Sequence, residues 1–331
     1  MKHFFGTFAL GLMGFTLLAV NGCKLSDCGK DEKEGSDGVC LQGKSLTKFD
    51  GTDVSKTVDY QAGGSLTVAT AYGNVTIEGG APAGKVEVIF KPFDFEAYDE
   101  KDLATRQMNE NLVLTIKDGA NIDVSAGRQG DPTNGLGASV TVKLPPEFDG
   151  NITIQNDGDG PLANDGEFDV NVNAVAKAKT VTLNNKASLG DCSVSGAATV
   201  VSTGVTCHGK VSVVGVSDDV NITTDGEGMD DPSVVLRVAS VSAGAKGGKI
   251  RVNDEGSIDA TFPASGNYSV HASAPLGAVD TGAPPASCTV SESAAADKTV
   301  ACGSGGPAYD LFTNGTNGEV FLEGNVKLSY K

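Results

Sequence analysis

The sequence predicts an all-β protein: a single-domain ectodomain built as a right-handed β-helix or β-solenoid, with a β-sandwich as the alternative and one short helical excursion. Short segments of alternating apolar and polar residues recur along the chain, and this period of two is typical of strands with one buried face. Glycine, asparagine or aspartate separates most of them, and the chain contains 44 glycines. Because Trp is absent and the later segments rely on Val and Ala, a narrow stack of coils is favoured over a sandwich.

The alternating segments give the predicted strands in chain order. They are marked by the apolar sets Leu66/Val68, Val75/Ile77, Val86/Val88/Phe90, Leu112/Leu114/Ile116, Val140/Val142/Leu144, Ile152/Ile154, Phe168/Val170/Val172, Val181/Leu183, Val211/Val213, Val234/Leu236/Val238, Ile250/Val252, Tyr268/Val270 and Val320/Leu322. One helix is predicted from Glu100 to Asn111, with Asp99 as its N-cap and with Leu103, Met108 and Leu112 near helical spacing.

The first 22 residues have the composition of a secretory signal peptide. Lys2 precedes an apolar run from Phe4 to Val20, and small residues lead to Cys23. The alternative is an uncleaved anchor helix, but the run contains three glycines and is short for a bilayer span. We therefore expect residues 1–22 to be removed, residues 23–45 to form a tether rich in charge, and residues 46–331 to form the β-domain.

Residues 20–23 resemble the lipobox of bacterial lipoproteins, in which an aliphatic residue and two small residues precede a cysteine. Asn21 is larger and more polar than the usual residue at its position. The resemblance implies that the Cys23 thiol receives a diacylglycerol and that the new N-terminus is acylated, with palmitate as an expected chain. Lys24, rather than Asp, follows the cysteine, which implies passage to the outer membrane, on either its periplasmic or its surface-exposed side.

Six cysteines remain once Cys23 is set aside. An even number in an exported chain indicates disulfides, although six cysteines allow 15 connectivities. They form three local couples, so sequential pairing is the simplest arrangement; the couples are Cys28/Cys40, Cys192/Cys207 and Cys288/Cys302. Zinc is the alternative, but the sequence has no CxxC and only three histidines.

Two segments carry a family resemblance. From Ser139 to Ile154 an alternating strand runs into two prolines, then a turn and a second strand, and the unit returns from Ile258 to Pro263. Residues 71–77 and 316–322 contain a glycine followed by a polar residue and a strand. Over roughly residues 60–325 the chain resembles bacterial adhesin-like β-strand-repeat domains of unknown function. The resemblance implies a β-helix-like, non-catalytic domain of the cell envelope.

The formal net charge of −17 argues against nucleic acid as a partner. Catalysis is also hard to build: the mature chain has two histidines, His208 beside a cysteine and His271 on the predicted outer side of a strand. The carboxylates are better candidates, because Ca²⁺ takes six to eight oxygen ligands. One acidic loop supplies candidate Ca²⁺ ligands, namely Asp157, Asp159, Asp165 and Glu167.

A second acidic segment runs from Asp225 to Asp231.

Taken together, the lipobox, the alternating strands and the scarcity of catalytic side chains predict a lipid-anchored, non-catalytic adhesin-like or scaffold module. Its expected partners are the membrane, through the lipid, and a polysaccharide or another envelope protein. A Ca²⁺-dependent binding module is the first alternative. A polysaccharide-active β-helix enzyme is the second, and it would need two carboxylates such as Asp157 and Asp225 close together in a cleft.

Overall fold

The computed structural model describes residues 32–34, 40–42, 46–97, 99–130, 135–158, 168–173, 177–187, 190–195, 202–217, 219–225, 232–253, 256–304, 306–314, 316–317, 320–321 and 325–331. The chain divides into two compact units, Met1–Ser45 and Leu46–Lys331. In the first unit, β1 (Glu32–Glu34) pairs antiparallel with β2 (Cys40–Gln42). The predicted signal peptide, Cys23 and Cys28 lie outside the described residues.

The second unit is all-β with one helix, as the sequence predicts. Its early elements are β3 (Leu46–Asp50), β4 (Val54–Asp59), β5 (Ser65–Thr70), β6 (Val75–Gly79), β7 (Lys85–Ala97), α1 (Lys101–Glu110), β8 (Leu112–Lys117), β9 (Asn121–Arg128), β10 (Gly137–Leu144) and β11 (Asn151–Asn156). The later strands are β12 (Val170–Asn173), β13 (Thr180–Asn185), β14 (Cys192–Ser195), β15 (Ser202–Cys207), β16 (Val211–Val216), β17 (Asp219–Thr224), β18 (Pro232–Val238), β19 (Gly247–Val252), β20 (Ser257–Phe262), β21 (Tyr268–Ser273), β22 (Val279–Asp280), β23 (Cys288–Ala294), β24 (Asp297–Cys302), β25 (Ala308–Thr313), β26 (Thr316–Asn317), β27 (Val320–Phe321) and β28 (Val326–Tyr330).

Most strands belong to two mixed sheets of twelve strands each. Sheet 1 has the order β22-β28-β20-β18-β16-β14-β12-β6-β10-β7-β3, with β4 also paired to β7. Sheet 2 has the order β23-β24-β21-β25-β19-β17-β15-β13-β11-β5-β9-β8. From β11 to β20 successive strands alternate between the two sheets. Each strand from β11 to β18 pairs in parallel with the strand two positions later, for example β13 with β15 and β14 with β16. The chain therefore winds around one shared core, and each rung contributes one strand to each sheet.

Chain order and stacking order differ at both ends of the stack. The rung β5–β6 lies between β9–β10 on one side and β11–β12 on the other. At the opposite end, β25 and β28 are inserted between the β19–β20 rung and the β21–β22 rung. Late strands are thus hydrogen-bonded on both sides by earlier ones, so the last rungs are locked into the sheets by pairing.

The alternation of apolar and polar residues along each strand determines which side chains form the core. In the middle rungs the inward positions are Val, Ile and Leu, and the residues between them point outward, as in β11, where Ile152 and Ile154 are buried and their neighbours exposed. Near the end of the stack formed by the late strands, large aromatic side chains join the core. Phe262, Tyr268 and Tyr309 are fully buried and pack together at ring-centroid distances of 5.6 and 5.1 Å. Bulky rings fill the core where few rungs remain to cover it.

The predicted helix is present but shorter than expected. It spans Lys101–Glu110, Glu100 rather than Asp99 occupies the N-cap position, and no side chain caps it by a hydrogen bond. Leu112 begins β8 instead of continuing the helix. The helix packs on β7, β3 and β8, and the residues that it buries are Ala104 and Gln107. Gln107 Nε2 donates a hydrogen bond to Glu96 on β7.

Two disulfides lie in the second unit, and both follow sequential pairing. Cys192 is bonded to Cys207, at opposite ends of the β14–β15 turn of the coil. Cys288 is bonded to Cys302, and these residues face each other across the β23–β24 hairpin. Cys40 is described only as part of the β2 backbone, so the predicted Cys28–Cys40 pair stays a prediction.

Candidate functional site

One corner of the coil is built from buried polar side chains. The last residue of several sheet 2 strands turns inward and donates a hydrogen bond to a main-chain carbonyl of a neighbouring turn. Asn156 donates to Gly73 O at 3.1 Å and Asn185 to Phe168 O at 2.9 Å. Thr224 donates to a carbonyl in the same way. Because these side chains satisfy turn carbonyls inside the protein, Asn156, in the predicted Ca²⁺ loop, is a structural corner residue.

The residues that directly follow this corner form a column of charged and polar side chains on the outside. Lys186 Nζ donates to Asp157 Oδ1 at 3.1 Å, and Gln155 Nε2 donates to the same oxygen at 2.9 Å. The hydrogen bond from Gln155, followed by the bond and charge of Lys186, lowers the pKa of Asp157. Of the four predicted Ca²⁺ ligands, Asp157 is thus engaged by protein donors, while Asp159, Asp165 and Glu167 lie outside the described residues. The Ca²⁺ site stays a prediction.

Further along the same column, His208 contacts Asp225. His208 Nδ1 lies 2.5 Å from Asp225 Oδ2, and Asn253 Nδ2 donates to Asp225 Oδ1 at 3.2 Å. Asp157 follows β11 and Asp225 follows β17, so the two carboxylates are three rungs apart in sheet 2. At about 4.8 Å per rung they are separated by roughly 14 Å. This exceeds the ~5–9.5 Å between the two carboxylates of glycosidases.

The second histidine is the centre of an ionic network on the outer face of sheet 2. His271 Nδ1 lies 2.9 Å from Asp310 Oδ1, and Nε2 lies 3.3 Å from Asp297. Arg251, on the next strand, forms an ion pair with Asp310 and also donates to the Asp310 carbonyl at 3.1 Å. Ser293 donates to Asp297. The network joins β19, β25, β21, β24 and β23 side by side.

The electrostatics of this network follow from its contacts. The hydrogen bond with Asp310 raises the pKa of His271, and Asp297 adds to it against the opposing effect of desolvation. Desolvation alone would raise the pKa of Asp310, but Arg251 and His271 outweigh it and the pKa falls. The Ser293 hydrogen bond, with help from His271, lowers the pKa of Asp297. Sequence reasoning placed His271 on the outer side of its strand but missed both carboxylates, because they come from strands far apart in the chain.

Sheet 1 carries a related arginine pair. Arg237 on β18 donates to both carboxylate oxygens of Asp259 on β20, at 3.2 and 2.7 Å, and to the Asp259 carbonyl at 2.8 Å. Arg237 and Arg251 occur in the similar segments Leu-Arg-Val and Ile-Arg-Val. In both cases the partner Asp is on the neighbouring rung of the same sheet, so each arginine clamps two rungs.

The outer face of sheet 2 is neutral from β5 to β15, and the strands on either side carry outward carboxylates, Asp123 on β9 and Asp219 on β17. The described outward residues of β5, β11, β13 and β15 are Ser65, Thr67, Ala69, Asn151, Thr153, Gln155, Thr180, Thr182, Asn184, Gly204 and Thr206. Some bridge adjacent rungs, such as Thr180, which donates to Asn151 at 2.7 Å. Across the same rungs, β6 of sheet 1 presents Glu78, and the outward residues of β12, β14 and β16 are neutral. Charged side chains become frequent on sheet 1 nearer the N-terminal end, with Lys143 on β10 and Glu87 on β7.

A buried acidic pair lies beneath α1. Asp94 and Glu96 occupy inward positions of β7, and both are almost completely buried. Gln107 Nε2 donates to Glu96 at 3.0 Å, whereas neither oxygen of Asp94 makes a hydrogen bond of normal geometry to a described residue. Desolvation, and then the charge of Glu96, raise the pKa of Asp94 to about 6, against the opposing effects of the Phe95 amide and Arg128. The signal missed in the sequence is the acidic residue at two successive core-facing positions of one strand.

Two kinds of feature are absent from the described part of the chain. No group of three or more His, Cys, Asp or Glu side chains there is arranged to hold a metal ion. In the same residues no helix has the length and apolar character needed to cross a bilayer.

No family model and no curated protein matches the chain. A solved structure from Clostridium sporogenes, provisionally described as a cell adhesion protein, is 10% identical over 85% of this chain and 100% of its own, with a TM-score of 0.31. A provisional adhesin from Bacteroides fragilis (11%, 85% and 97%, TM-score 0.33) and a provisional lipid binding protein from Parabacteroides distasonis (11%, 85% and 94%, TM-score 0.33) are similar to the same extent. Likenesses of this size transfer neither fold nor function to this chain.

Proposed function

We propose that this protein is a lipid-anchored, non-catalytic module of the outer cell envelope that binds an extended, neutral polysaccharide along the outer face of sheet 2. In this proposal the winding is a right-handed β-solenoid, the hand that parallel crossover connections almost always take. Cys23 carries the lipid, and the coil presents the binding face.

The observation that carries the proposal is the neutral part of sheet 2 between β5 and β15. In a chain of net charge −17, its described outward side chains are hydroxyls, amides and small residues repeated at the rung spacing. Such groups donate and accept hydrogen bonds with sugar hydroxyls without a charge to desolvate. Since each contact is weak, affinity accumulates along the polymer, and a long chain binds more tightly than a short oligosaccharide.

The known chemistry of the site supports a binding role over catalysis. Both ring nitrogens of His271 face carboxylates, so the ring is not free to serve as a base for a nucleophile. The separation of Asp157 from Asp225 does not fit a glycosidase pair.

Co-sedimentation with two insoluble neutral glucans, one β-1,4-linked and one β-1,3-linked, tests the proposal. We expect retention by at least one of the two, and at least tenfold weaker retention of the variant Thr153→Arg/Thr182→Arg, whose residues face each other on β11 and β13. The matched control is Thr76→Arg/Thr141→Arg, a facing pair on sheet 1, which we expect to bind like the wild type. If neither material retains the wild type, or if both double variants lose binding equally, the proposal is wrong.

A further inference from the structure

Exposed large apolar side chains occur only at the two ends of the stack of rungs, as far as the structure describes the chain. Val54 on β4 is 46% exposed and Val113 on β8 is 38% exposed, and these strands end the two sheets on the N-terminal side. Val290 on β23 is 45% exposed, and Leu276, in the connection to β22, is 38% exposed. β22 and β23 end the two sheets on the other side. Apolar surface placed this way marks interaction sites at the ends rather than on the faces.

The N-terminal end is concave. A groove of about 450 Å³ lies between the β3–β4 connection, β7, α1 and β8. Its apolar lining consists of Val54, Pro92, Met108, Leu112 and Leu114. Leu112 and Leu114 occupy inward positions of the edge strand β8. In the described part of the chain no further strand lies beyond β8 to complete the burial of their side chains.

The opposite end protrudes. Every residue of β23 after Cys288 is exposed, although the strand belongs to sheet 2. Val290 faces Val300 across the hairpin, and Val300 in turn faces Val270 on β21. Val300 and Val270 are fully buried, so Val290 occupies the next core-facing position of the same row but is itself exposed. The Cys288–Cys302 disulfide clamps the base of this hairpin, and a bulge near Ser293 leaves residues 288–292 as its regular edge.

The two ends are stepped in opposite senses. On the N-terminal side β10 of sheet 1 lies opposite β5 and β9 of sheet 2. Beyond β10, sheet 1 continues through β7 to the edge formed by β3 and β4, whereas beyond β9 sheet 2 has only β8 among the described strands. Sheet 1 is therefore the longer sheet at this end. On the other side β25 of sheet 2 lies opposite β20 and β28 of sheet 1. Beyond β25, sheet 2 continues through β21, β24 and β23, whereas beyond β28 sheet 1 continues only with β22 among the described strands. Sheet 2 is therefore the longer sheet at this end. The longer sheet at one end is therefore the shorter sheet at the other.

We infer that copies of this chain associate head to tail, with the β23–β24 hairpin of one copy seated against the groove and β8 edge of the next. The stepped ends are complementary under this arrangement. β23 runs parallel to the rungs of sheet 2 and β8 runs antiparallel to them, so the two edges meet as an antiparallel pair. Because the two contacting surfaces differ, each added copy exposes a fresh end and the assembly is an open filament rather than a closed dimer. This self-association goes beyond the proposed polysaccharide binding and does not depend on it.

Sedimentation velocity of the mature protein in density-matched detergent tests the inference. We expect the wild type to form a concentration-dependent series of species larger than a dimer. Val54→Lys and Val290→Lys are each expected to weaken association at least tenfold, because both side chains lie on the core side of an edge strand and a charged side chain there is buried in the contact. The control Thr182→Lys, in the middle of the sheet 2 face, should sediment like the wild type, and melting curves should show all three variants folded.

Mixing the two end variants separates head-to-tail contact from symmetric pairing. Val54→Lys keeps an intact hairpin end and Val290→Lys keeps an intact groove end, so the mixture should form a one-to-one heterodimer that neither variant forms alone. A wild type that stays monomeric at all concentrations would overturn the inference. So would association that survives both substitutions, or a mixture that yields no heterodimer.

Discussion

Replacing Asp94 with Asn is expected to stabilise the protein at neutral and alkaline pH by about 3 kcal/mol. Asp94 is fully buried, and its pKa in the folded protein is raised from 3.8 to about 6. An acid whose pKa is raised by folding binds its proton more tightly in the native state, so stability rises as the pH falls from above 6 towards 4. Above pH 6 the ionised carboxylate must be kept in the core, at about 1.4 kcal/mol for each pKa unit.

The measurement is the free energy of unfolding from denaturant titrations at pH 8 and at pH 5. The amide of Asp94→Asn is isosteric with the protonated acid, so the variant should gain about 3 kcal/mol at pH 8. It should gain roughly half of that at pH 5, where the carboxyl group of the unfolded chain is still ionised. Asp53→Asn, at an exposed position between β3 and β4, serves as the control and should change stability little at either pH. Equal or lower stability of Asp94→Asn at pH 8 would show that Arg128 and the Phe95 amide accommodate the charge.

Replacing Asn185 with Ala is expected to destabilise the protein by roughly 2–5 kcal/mol. The side chain is fully buried at the corner of the coil; its Nδ2 donates to Phe168 O at 2.9 Å and its Oδ1 accepts from the Ala187 amide at 3.2 Å. Alanine leaves both main-chain groups buried and unpaired, each at a cost of about 1–3 kcal/mol, and it leaves a cavity.

Chemical denaturation of the variant and of Asn184→Ala measures this effect against a neighbour of the same type. Asn184 points outward and is half-exposed, so its replacement should change stability by less than about 0.5 kcal/mol. If both alanine variants are equally stable, turn carbonyls at this corner do not need side-chain donors, and the role we assign to the buried column is wrong.

The strands themselves could be predicted because burial on one face leaves a direct mark in the sequence. Ile152 and Ile154, or Val181 and Leu183, alternate with polar residues wherever one face meets the core. The order of the strands leaves no such mark, because the same alternation suits any partner. The rung length also varies: aligned residues are 17 positions apart between Thr203 and Val220 and 29 apart between Ile152 and Val181. Variable turns of this kind hide the repeat.

The polar sites were predicted less well than the fold. Asp157 was predicted to be a Ca²⁺ ligand from its acidic neighbours in sequence, yet it follows the corner directly and is held on the outside by Lys186, while the preceding Asn156 points inward. The His271 network draws Arg251, Asp297 and Asp310 from different strands, and the insertion of β25 beside β21 brings them together. That insertion depends on tertiary pairing and has no local sequence signal. Disulfide couples were easier, because short loops between cysteines favour local bridges.

The proposal as a whole depends on a thioether-linked lipid that holds this coil at the envelope. Metabolic labelling with radioactive palmitate, followed by isolation of the protein from membranes, tests that link most directly. We predict label in the wild type and in a Cys28→Ala control, and none in Cys23→Ala, whose sulfur is removed. A Cys23→Ala protein that still incorporates label, or a purified wild type that is unacylated and retains Met1, would contradict the account.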